Sequence, residues 1–227
     1  MDFKEGEILY FNKPLKWTSF NLVAKIRYEV CRKLNVKKLK VGHAGTLDPL
    51  ATGVMIICTG KATKRMEEFQ YQTKEYMATV LLGATTPSYD LEKEIDAVYP
   101  TEHITQEMVA GILKTFVGEI EQTPPIFSAC KIDGIRAYDL ARKGKTAALK
   151  SKLVFIDEIE LLECKLPEIT IRVVCSKGTY IRALARDIGE ALNSGAHLTK
   201  LVRIRVGEVT LKDCLEIEEF KGWLDNN

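Results

Sequence analysis

The spacing of apolar positions predicts helices in several parts of the chain. Apolar residues recur every three or four positions in three longer segments, as they do on one face of a helix. Those segments are residues 18–34, 105–116 and 180–192, and shorter helices are predicted over 61–69, 137–143 and 217–224. In the first helix, which Thr18 or Ser19 can cap, the residues expected to face the core are Phe20, Val23, Ile26, Val30 and Leu34.

Continuous or alternating apolar runs predict the strands. The expected strands are residues 7–11, 53–60, 75–83, 127–132, 153–162, 169–175 and 198–209. Because these strands alternate irregularly with helices, and no internal repeat or linker divides the chain, the pattern predicts one α+β or mixed α/β fold around a large sheet.

A glycine-rich loop separates the first predicted helix from the apolar strand at 53–60. Residues 41–53 include Gly42, Gly45, Gly53 and Pro49, so regular structure over their whole length is not expected. The loop also carries a histidine and Asp48, and loops between ordered elements commonly hold reactive groups.

Two interpretations of Asp48 remain open at this point. An aspartate before proline is a common turn residue, because proline disfavours helix at the preceding position. The alternative is an ionised carboxylate that acts as a nucleophile or base, which requires a nearby cation. Arg182, at the start of the helix predicted over 180–192, is a candidate for that cation, although spacing alone does not bring the two residues together.

Composition narrows the classes of protein. No apolar run approaches the roughly 18 residues of a membrane span, and the N-terminus lacks a signal-peptide pattern, so we expect a soluble cytoplasmic protein. None of the six cysteines forms a CxxC pair and the three histidines are far apart, so we expect no metal site.

Charge is segregated along the chain although the net charge is only +2. Residues 25–40 hold seven basic residues and one acidic residue, and residues 131–152 hold seven basic and two acidic residues. Such runs suit a polyanion on one face of the protein. Solvated surfaces without a ligand are an equally good interpretation of either run alone.

Ordered motifs place the chain beside a known family. The segment Gly42 to Gly53 closely resembles the catalytic motif of the bacterial tRNA pseudouridine-55 synthases of the TruB type, which have archaeal and eukaryotic RNA-guided relatives. Further matches follow in the expected order over residues 6–207: Tyr10 to Pro14, Gly60 to Lys64, Lys74 to Tyr76, Pro125 to Lys131, Gly178 to Arg182, and Leu201 to Arg203. A motif of this length with ordered partners is highly specific.

The resemblance implies a fold and a reaction. The fold is the pseudouridine-synthase fold, with a mixed, mostly antiparallel central sheet, flanking helices and a thumb-like RNA-binding insertion at about 124–152. In the family the aspartate matching Asp48 is the nucleophile, and the reaction breaks the N1–C1′ bond of a flipped-out uridine and rejoins the base through C5. No metal or other cofactor is implied.

The resemblance also assigns roles to other residues. Tyr76 matches the catalytic aromatic that stacks on the target base and is a candidate general base at the sugar, and Tyr180 matches a second active-site aromatic. Arg182 matches the arginine that pairs with the nucleophile, and Leu201 an apolar residue under the base. The residues implied in contacts with RNA or near the active site are His43, Lys64, Asp90 and Lys131.

The implied partner is the T-arm of tRNA, which a monomer without an obligate protein partner would bind. The chain stops about twenty residues after Gly207, so we expect a single catalytic domain over 1–227 and no C-terminal PUA-type domain. Two alternatives remain: a tRNA-binding or tRNA-folding protein with little catalytic role, and an enzyme acting on other RNAs that carry a T-arm-like loop.

Overall fold

The computed structural model describes residues 1–128, 131–132, 135–136 and 149–227. It divides into two compact units, which are described separately. Unit 1 comprises Met1–Tyr76 and Leu201–Asn227, and unit 2 comprises Met77–Lys200.

The elements of the chain up to Val98 are β1 (Ile8–Lys13), α1 (Ser19–Lys33), β2 (Val41–His43), β3 (Ala51–Thr59), a 3-10 segment (Gly60–Arg65), α2 (Met66–Tyr71), β4 (Lys74–Leu82), β5 (Ala84–Thr85) and β6 (Ala97–Val98). The later elements are α3 (Gln106–Thr115), β7 (Gly118–Gln122), β8 (Lys131–Ile132), β9 (Ile135–Arg136), β10 (Lys152–Lys165), β11 (Glu168–Cys175), α4 (Ile181–Ala191), β12 (Ala196–Val206), β13 (Val209–Thr210), a 3-10 turn (Leu211–Asp213) and α5 (Phe220–Asn226). Helices and strands are therefore mixed irregularly along the chain, which confirms the predicted α+β class.

In unit 1 the strands are ordered β1-β3-β12, with β2 also paired to β3 and β13 to β12. β1 and β2 run antiparallel to β3, whereas β12 runs parallel to it, with Leu201 opposite Ala51. The sheet is thus mixed and mostly antiparallel, as the resemblance implied. β3 lies in its interior, and Val54 to Cys58 are all fully buried. Burial on both faces explains why β3 is a continuous apolar run and does not alternate.

Helix α1 begins as its sequence predicts and buries most of the expected face. Thr18 is the N-cap: its side chain accepts from the Asn21 backbone N–H, and the Asn21 side chain accepts from the Thr18 N–H. Such capping boxes fix a helix start. Val23, Ile26 and Val30 are buried as predicted. The prediction for Phe20 was wrong.

Phe20 is 68% exposed, and Leu22 is buried in the same first turn of α1. Residues 22, 26 and 29 are spaced three and four apart and therefore share one helix face. Phe20 lies two positions before Leu22 and so points away from that face.

In unit 2 the strands are ordered β4-β11-β10-β7. β10 pairs antiparallel with both β11 and β7, over Ile156–Lys165 and Lys152–Ile156 respectively. α3 is capped by Thr105, as predicted. The apolar stripe of α4 is also confirmed, because Ile181, Leu184, Ile188 and Leu192 are buried.

Several predicted elements differ from the structure. The helix expected over 61–69 is a 3-10 segment followed by the six-residue helix α2. Of the described residues in the strand expected over 127–132, Lys131 and Ile132 of β8 are in a strand, whereas residues 127 and 128 are not. β7 was not predicted, because its sequence Gly-Glu-Ile-Glu-Gln is too polar to suggest a strand. The helix predicted over 137–143 falls outside the described residues. No helix in the described part of the chain is long and apolar enough to cross a membrane.

Candidate active site

Asp48 lies in the loop that joins β2 to β3 in unit 1. The loop leaves β2 at His43 and enters β3 at Ala51. Its ends are tied to the backbone of the sheet: the Ala44 N–H donates to the Ile56 carbonyl (2.9 Å), and the Ala51 N–H donates to the Asp48 carbonyl (3.1 Å). The half-buried Asp48 therefore sits at a turn, as its position before proline predicted.

A buried arginine binds the backbone of this loop. Arg203 of β12 is 1% exposed, and its guanidinium donates to the carbonyls of Val54 (2.8 Å), Gly45 (3.1 Å) and Thr46 (3.5 Å). A buried guanidinium must satisfy its donors, and here two of the acceptors belong to the loop that carries Asp48. Arg203 thus links the loop to β3.

Ser19, the first residue of α1, also binds the backbone of this loop. The buried Ser19 hydroxyl accepts from the Leu47 N–H (2.9 Å) and lies 3.0 Å from the Leu47 carbonyl, to which it can donate. Both backbone groups of the residue before Asp48 are therefore bound to one side chain. This arrangement fixes the backbone at the point where the carboxylate emerges.

A buried lysine lies in the electrostatic field of Asp48. The Lys13 ammonium donates to the carbonyls of Pro14 (2.8 Å) and Trp17 (2.6 Å) and is fully buried. The pKa of Lys13 is lowered to about 8, mainly by burial; the carboxylate of Asp48 opposes this change, and the positive charge of Arg203 adds to it. The positive charge of Lys13 and the carboxylate of Asp48 therefore interact favourably.

His43 ends β2, where it pairs with Ile57 of β3. Burial lowers the pKa of its imidazole, and the charge of Arg203 adds to this effect, while a hydrogen bond with the Gly45 backbone opposes it. The lowered pKa favours the neutral form of the ring. Lys64, by contrast, is exposed on the 3-10 segment after β3.

Tyr76 and Leu201 also belong to unit 1. Tyr76 is buried in β4, directly after Glu75, whose carboxylate accepts from the Arg205 guanidinium at 2.6 Å. Leu201 is half-buried and pairs with Ala51, three residues after Asp48. The parallel pairing of β12 with β3 thus brings Leu201 and the loop together, which sequence spacing alone could not show.

Arg182 and Asp90 are buried together in unit 2. The Arg182 guanidinium donates to the carbonyls of Phe127 (2.8 Å) and Ser88 (3.1 Å), and its Nε lies 3.7 Å from the Asp90 carboxylate. The other Asp90 oxygen accepts from the Glu92 N–H (2.9 Å). The start of α4 therefore presents an arginine whose side chain is fixed by two carbonyls and one carboxylate.

Tyr180 is the N-cap residue of α4. The fully buried amide of Gln122 accepts from the Tyr180 N–H (2.8 Å) and donates to the Tyr180 carbonyl (3.2 Å). The Lys152 ammonium lies 4.9 Å from the centre of the Tyr180 ring, a cation–π distance. Of the predicted site residues, Lys131 lies in β8, and its side chain falls outside the described part of the structure.

Sequence reasoning missed three buried residues: Ser19 and Arg203, which bind the loop backbone, and Lys13, whose charge acts on Asp48. Lys13 and Arg203 stood inside motifs that carried the resemblance, but a charged residue in a motif gives no sign that it will be buried. Ser19 was recognised only as a possible helix cap. Among the described residues, no group of three histidines, cysteines or carboxylates is arranged to hold a metal ion.

Comparison with known proteins gives consistent results over nearly the whole chain. Residues 32–181 match the sequence model of the TruB family pseudouridylate synthase (N terminal domain), and residues 182–227 match that of the tRNA pseudouridylate synthase B C-terminal domain. Proteins named tRNA pseudouridine synthase B are 77% identical in Phocaeicola vulgatus, covering 99% of this chain and 96% of the relative, and 53% identical in Flavobacterium johnsoniae, covering 97% and 96%.

Solved structures agree on the fold. A chain of a Cbf5-Nop10-Gar1 complex is 28% identical with a TM-score of 0.73, and this protein covers 99% of its own length but 57% of that chain. A chain of an H/ACA RNP bound to a substrate RNA containing 2'-deoxyuridine is 26% identical with a TM-score of 0.70, with 99% and 56% covered. The fold is thus that of the pseudouridine synthases. Within that class, the chain belongs to the TruB family.

Proposed function

We propose that this protein converts a uridine in the T-loop of tRNA, at position 55, to pseudouridine. The observation that carries the proposal is the loop of Asp48, which is intact in a chain of the TruB family and is fixed by Arg203 and Ser19. Fixed donors and charges around a reacting group lower a barrier because they need no reorganisation during the reaction.

The reaction requires no net oxidation or reduction. The N1–C1′ bond breaks and a C5–C1′ bond forms, while C5 loses a proton and N1 gains one. We propose Asp48 as the nucleophile and charge-stabilising group at C1′. The positive charge of Lys13 interacts with the Asp48 carboxylate, and Arg203 holds the loop that carries it.

The remaining site residues receive roles by family resemblance. We propose Tyr76 as the aromatic that stacks on the uracil, Leu201 as the apolar surface under it, and Tyr180 as a second aromatic. Arg182 is proposed as a catalytic residue and Asp90 as its partner, which the 3.7 Å ion pair supports. A neutral His43 suits the place vacated by a flipped-out base, since its ring can stack without charge.

We further propose that the segment at about 124–152, including Lys131, grips RNA as a thumb through phosphate contacts. The protein is proposed to act in the cytoplasm as a monomer on free tRNA, without an obligate protein partner or cofactor, and as a single catalytic domain.

The direct test is tritium release from T-arm RNA that carries uridine labelled at C5. The wild type is expected to release tritium, because C5 loses its hydrogen when the new glycosidic bond forms. Asp48→Asn keeps the shape of the side chain but removes the charge, and it is expected to release none. Absence of release by the wild type would refute the assignment in favour of a tRNA-binding or tRNA-folding role. Equal release by Asp48→Asn would refute the role of Asp48 as the nucleophile.

A further inference from the structure

The basic run at residues 25–40 is divided by the structure into two groups. In the first group every side chain is engaged within unit 1. Lys25 and Arg32 form ion pairs with the buried Glu29, at 2.7 and 2.8 Å. Arg27 donates to the Val41 carbonyl (3.2 Å), and the Lys33 ammonium donates to the Leu224 carbonyl.

The second group consists of Lys37, Lys38 and Lys40. All three are exposed, and none has an ion-pair partner among the residues that the structure describes. Three like charges within four residues repel one another. They remain uncompensated on a surface that the fold does not use, so binding of an anion there would relieve the repulsion.

The turn that carries these lysines is fixed at both ends. Helix α1 closes with the Val36 N–H donating to the Cys31 carbonyl (3.0 Å), and Asn35 adopts a left-handed φ of 50°. At the other end the Lys40 carbonyl accepts from the Gly60 N–H (2.8 Å). The lysines are thus presented on an ordered turn.

This turn lies beside two residues already proposed to contact RNA. Lys40 directly precedes β2, which ends at His43, so their backbones are separated by about 10 Å at the usual rise of a strand. The Lys40–Gly60 hydrogen bond also places the turn at the start of the 3-10 segment that carries Lys64.

The basic residues of the 3-10 segment also comprise ion-paired and unpaired side chains. Lys61 pairs with Glu5 (2.7 Å) and Arg65 pairs with Glu68 (3.0 Å). Lys64, between them, is exposed and has no ion-pair partner within the described ranges. The two neighbouring segments therefore each leave exposed lysines uncompensated.

We propose that Lys37, Lys38, Lys40 and Lys64 form one lysine cluster that binds the phosphates of the RNA strand next to the flipped uridine. The inference rests on the proposed function and specifies where the RNA backbone is held. Lysine is a compact point charge that recognises phosphate without demanding a fixed orientation. Contacts of this kind determine affinity and register rather than sequence preference.

The test separates binding from chemistry. Dissociation constants for a T-arm stem–loop are measured at several salt concentrations for the wild type and for Lys37→Ala/Lys38→Ala/Lys40→Ala, together with single-turnover rates at saturating RNA. The triple variant is expected to bind at least about 10-fold more weakly at ~0.1 M salt, with the slope of log affinity against log salt reduced by about 2. Its saturated rate is expected to stay within twofold of the wild type.

Three variants control for folding and for general charge. Lys37→Arg/Lys38→Arg/Lys40→Arg keeps the charges and is expected to keep the wild-type slope. Lys33→Ala, from the engaged group, and Lys114→Ala/Lys165→Ala/Lys221→Ala, from exposed positions elsewhere, are expected to leave the slope unchanged. An unchanged slope in the alanine triple variant, or a loss equal to that of the Lys114 set, would overturn the proposal. If the wild type bound RNA but formed no pseudouridine, the proposed function would be refuted. The affinities of the variants would still test the lysine cluster.

Discussion

At the scale of single residues, the loop that carries Asp48 is held by a buried charge. Arg203 illustrates this dependence because its guanidinium binds two loop carbonyls and one carbonyl of β3 while remaining 1% exposed. Its contribution to the reaction is therefore expected to be indirect. It holds the backbone that carries Asp48, and because it is buried we expect it to make no contact with RNA.

Arg203→Lys is expected to lower the saturated single-turnover rate by about 100-fold, because lysine cannot reach three carbonyls and a misplacement of roughly 1 Å costs that much. RNA affinity is expected to change by less than about threefold, since a buried residue makes no phosphate contact. Rates and dissociation constants are measured separately. The control is Arg172→Ala, which removes a surface ion pair of β11. A variant that loses affinity but keeps its rate would contradict the positioning role.

Lys13 makes a prediction about pH. Its pKa is about 8 in the folded protein and 10.5 for an ordinary lysine, so over that interval the unfolded chain binds more protons than the folded one. Stability contributed by this residue therefore rises as the pH increases from about 8 to about 10.5. Urea unfolding of the wild type and of Lys13→Met is expected to give a difference that shifts in favour of the wild type across that interval. Parallel curves would show that Lys13 titrates normally.

At the scale of helices and strands, the structure shows which elements can be predicted from the local sequence pattern. α1, α3 and α4 were predicted within a few residues, since their caps and apolar faces are read from neighbouring positions. β7 was missed because a polar strand is recognisable only from its pairing with β10. Pairing depends on residues far away in sequence, so it lies outside any local pattern.

The candidate site also has features that the sequence shows and features that depend on the fold. The motif around Asp48 was recognisable from sequence, since its glycines and proline specify a loop. The parallel pairing that places Leu201 opposite Ala51, and the burial of Arg203 and Lys13, were not. These depend on which strands become neighbours, and a charged residue looks the same in sequence whether it is buried or exposed.

The contact between α1 and the loop that carries Asp48 gives a prediction at this scale. Ser19→Ala leaves the Leu47 N–H and carbonyl without their shared partner, which is expected to cost about 1–3 kcal/mol of unfolding free energy. It is also expected to lower the saturated rate by about 10-fold or more, because the loop is no longer held. Thr18→Ala removes the N-cap of the same helix at a cost of about 1 kcal/mol, and its rate is expected to stay within twofold.

This pair of variants separates stability from positioning, since both are measured by urea unfolding and by single-turnover kinetics. If the two rates fell equally, the contact of Ser19 with Leu47 would have no special role.

At the scale of the whole molecule, the arrangement of charge matters more than its sum. The net charge of +2 is too small to steer a polyanion, and many of the basic side chains are compensated by carboxylates or carbonyls. Because the Debye length is about 8–10 Å at 0.1–0.15 M ionic strength, an RNA phosphate responds to the charges nearest to it. Affinity should therefore follow the uncompensated lysines and not the total.

Reversal of charge away from the lysine cluster tests this argument. Lys114→Glu/Lys165→Glu removes four units of positive charge and takes the net value from +2 to −2, yet both side chains are exposed on unit 2. Affinity for T-arm RNA at ~0.15 M salt is expected to stay within about threefold of the wild type, because charges beyond a Debye length are screened. Lys37→Ala/Lys38→Ala/Lys40→Ala takes the net charge only to −1, but it is expected to weaken binding more. Affinities that followed net charge across both variants would show that the overall field, and not the position of the lysines, brings RNA to the protein.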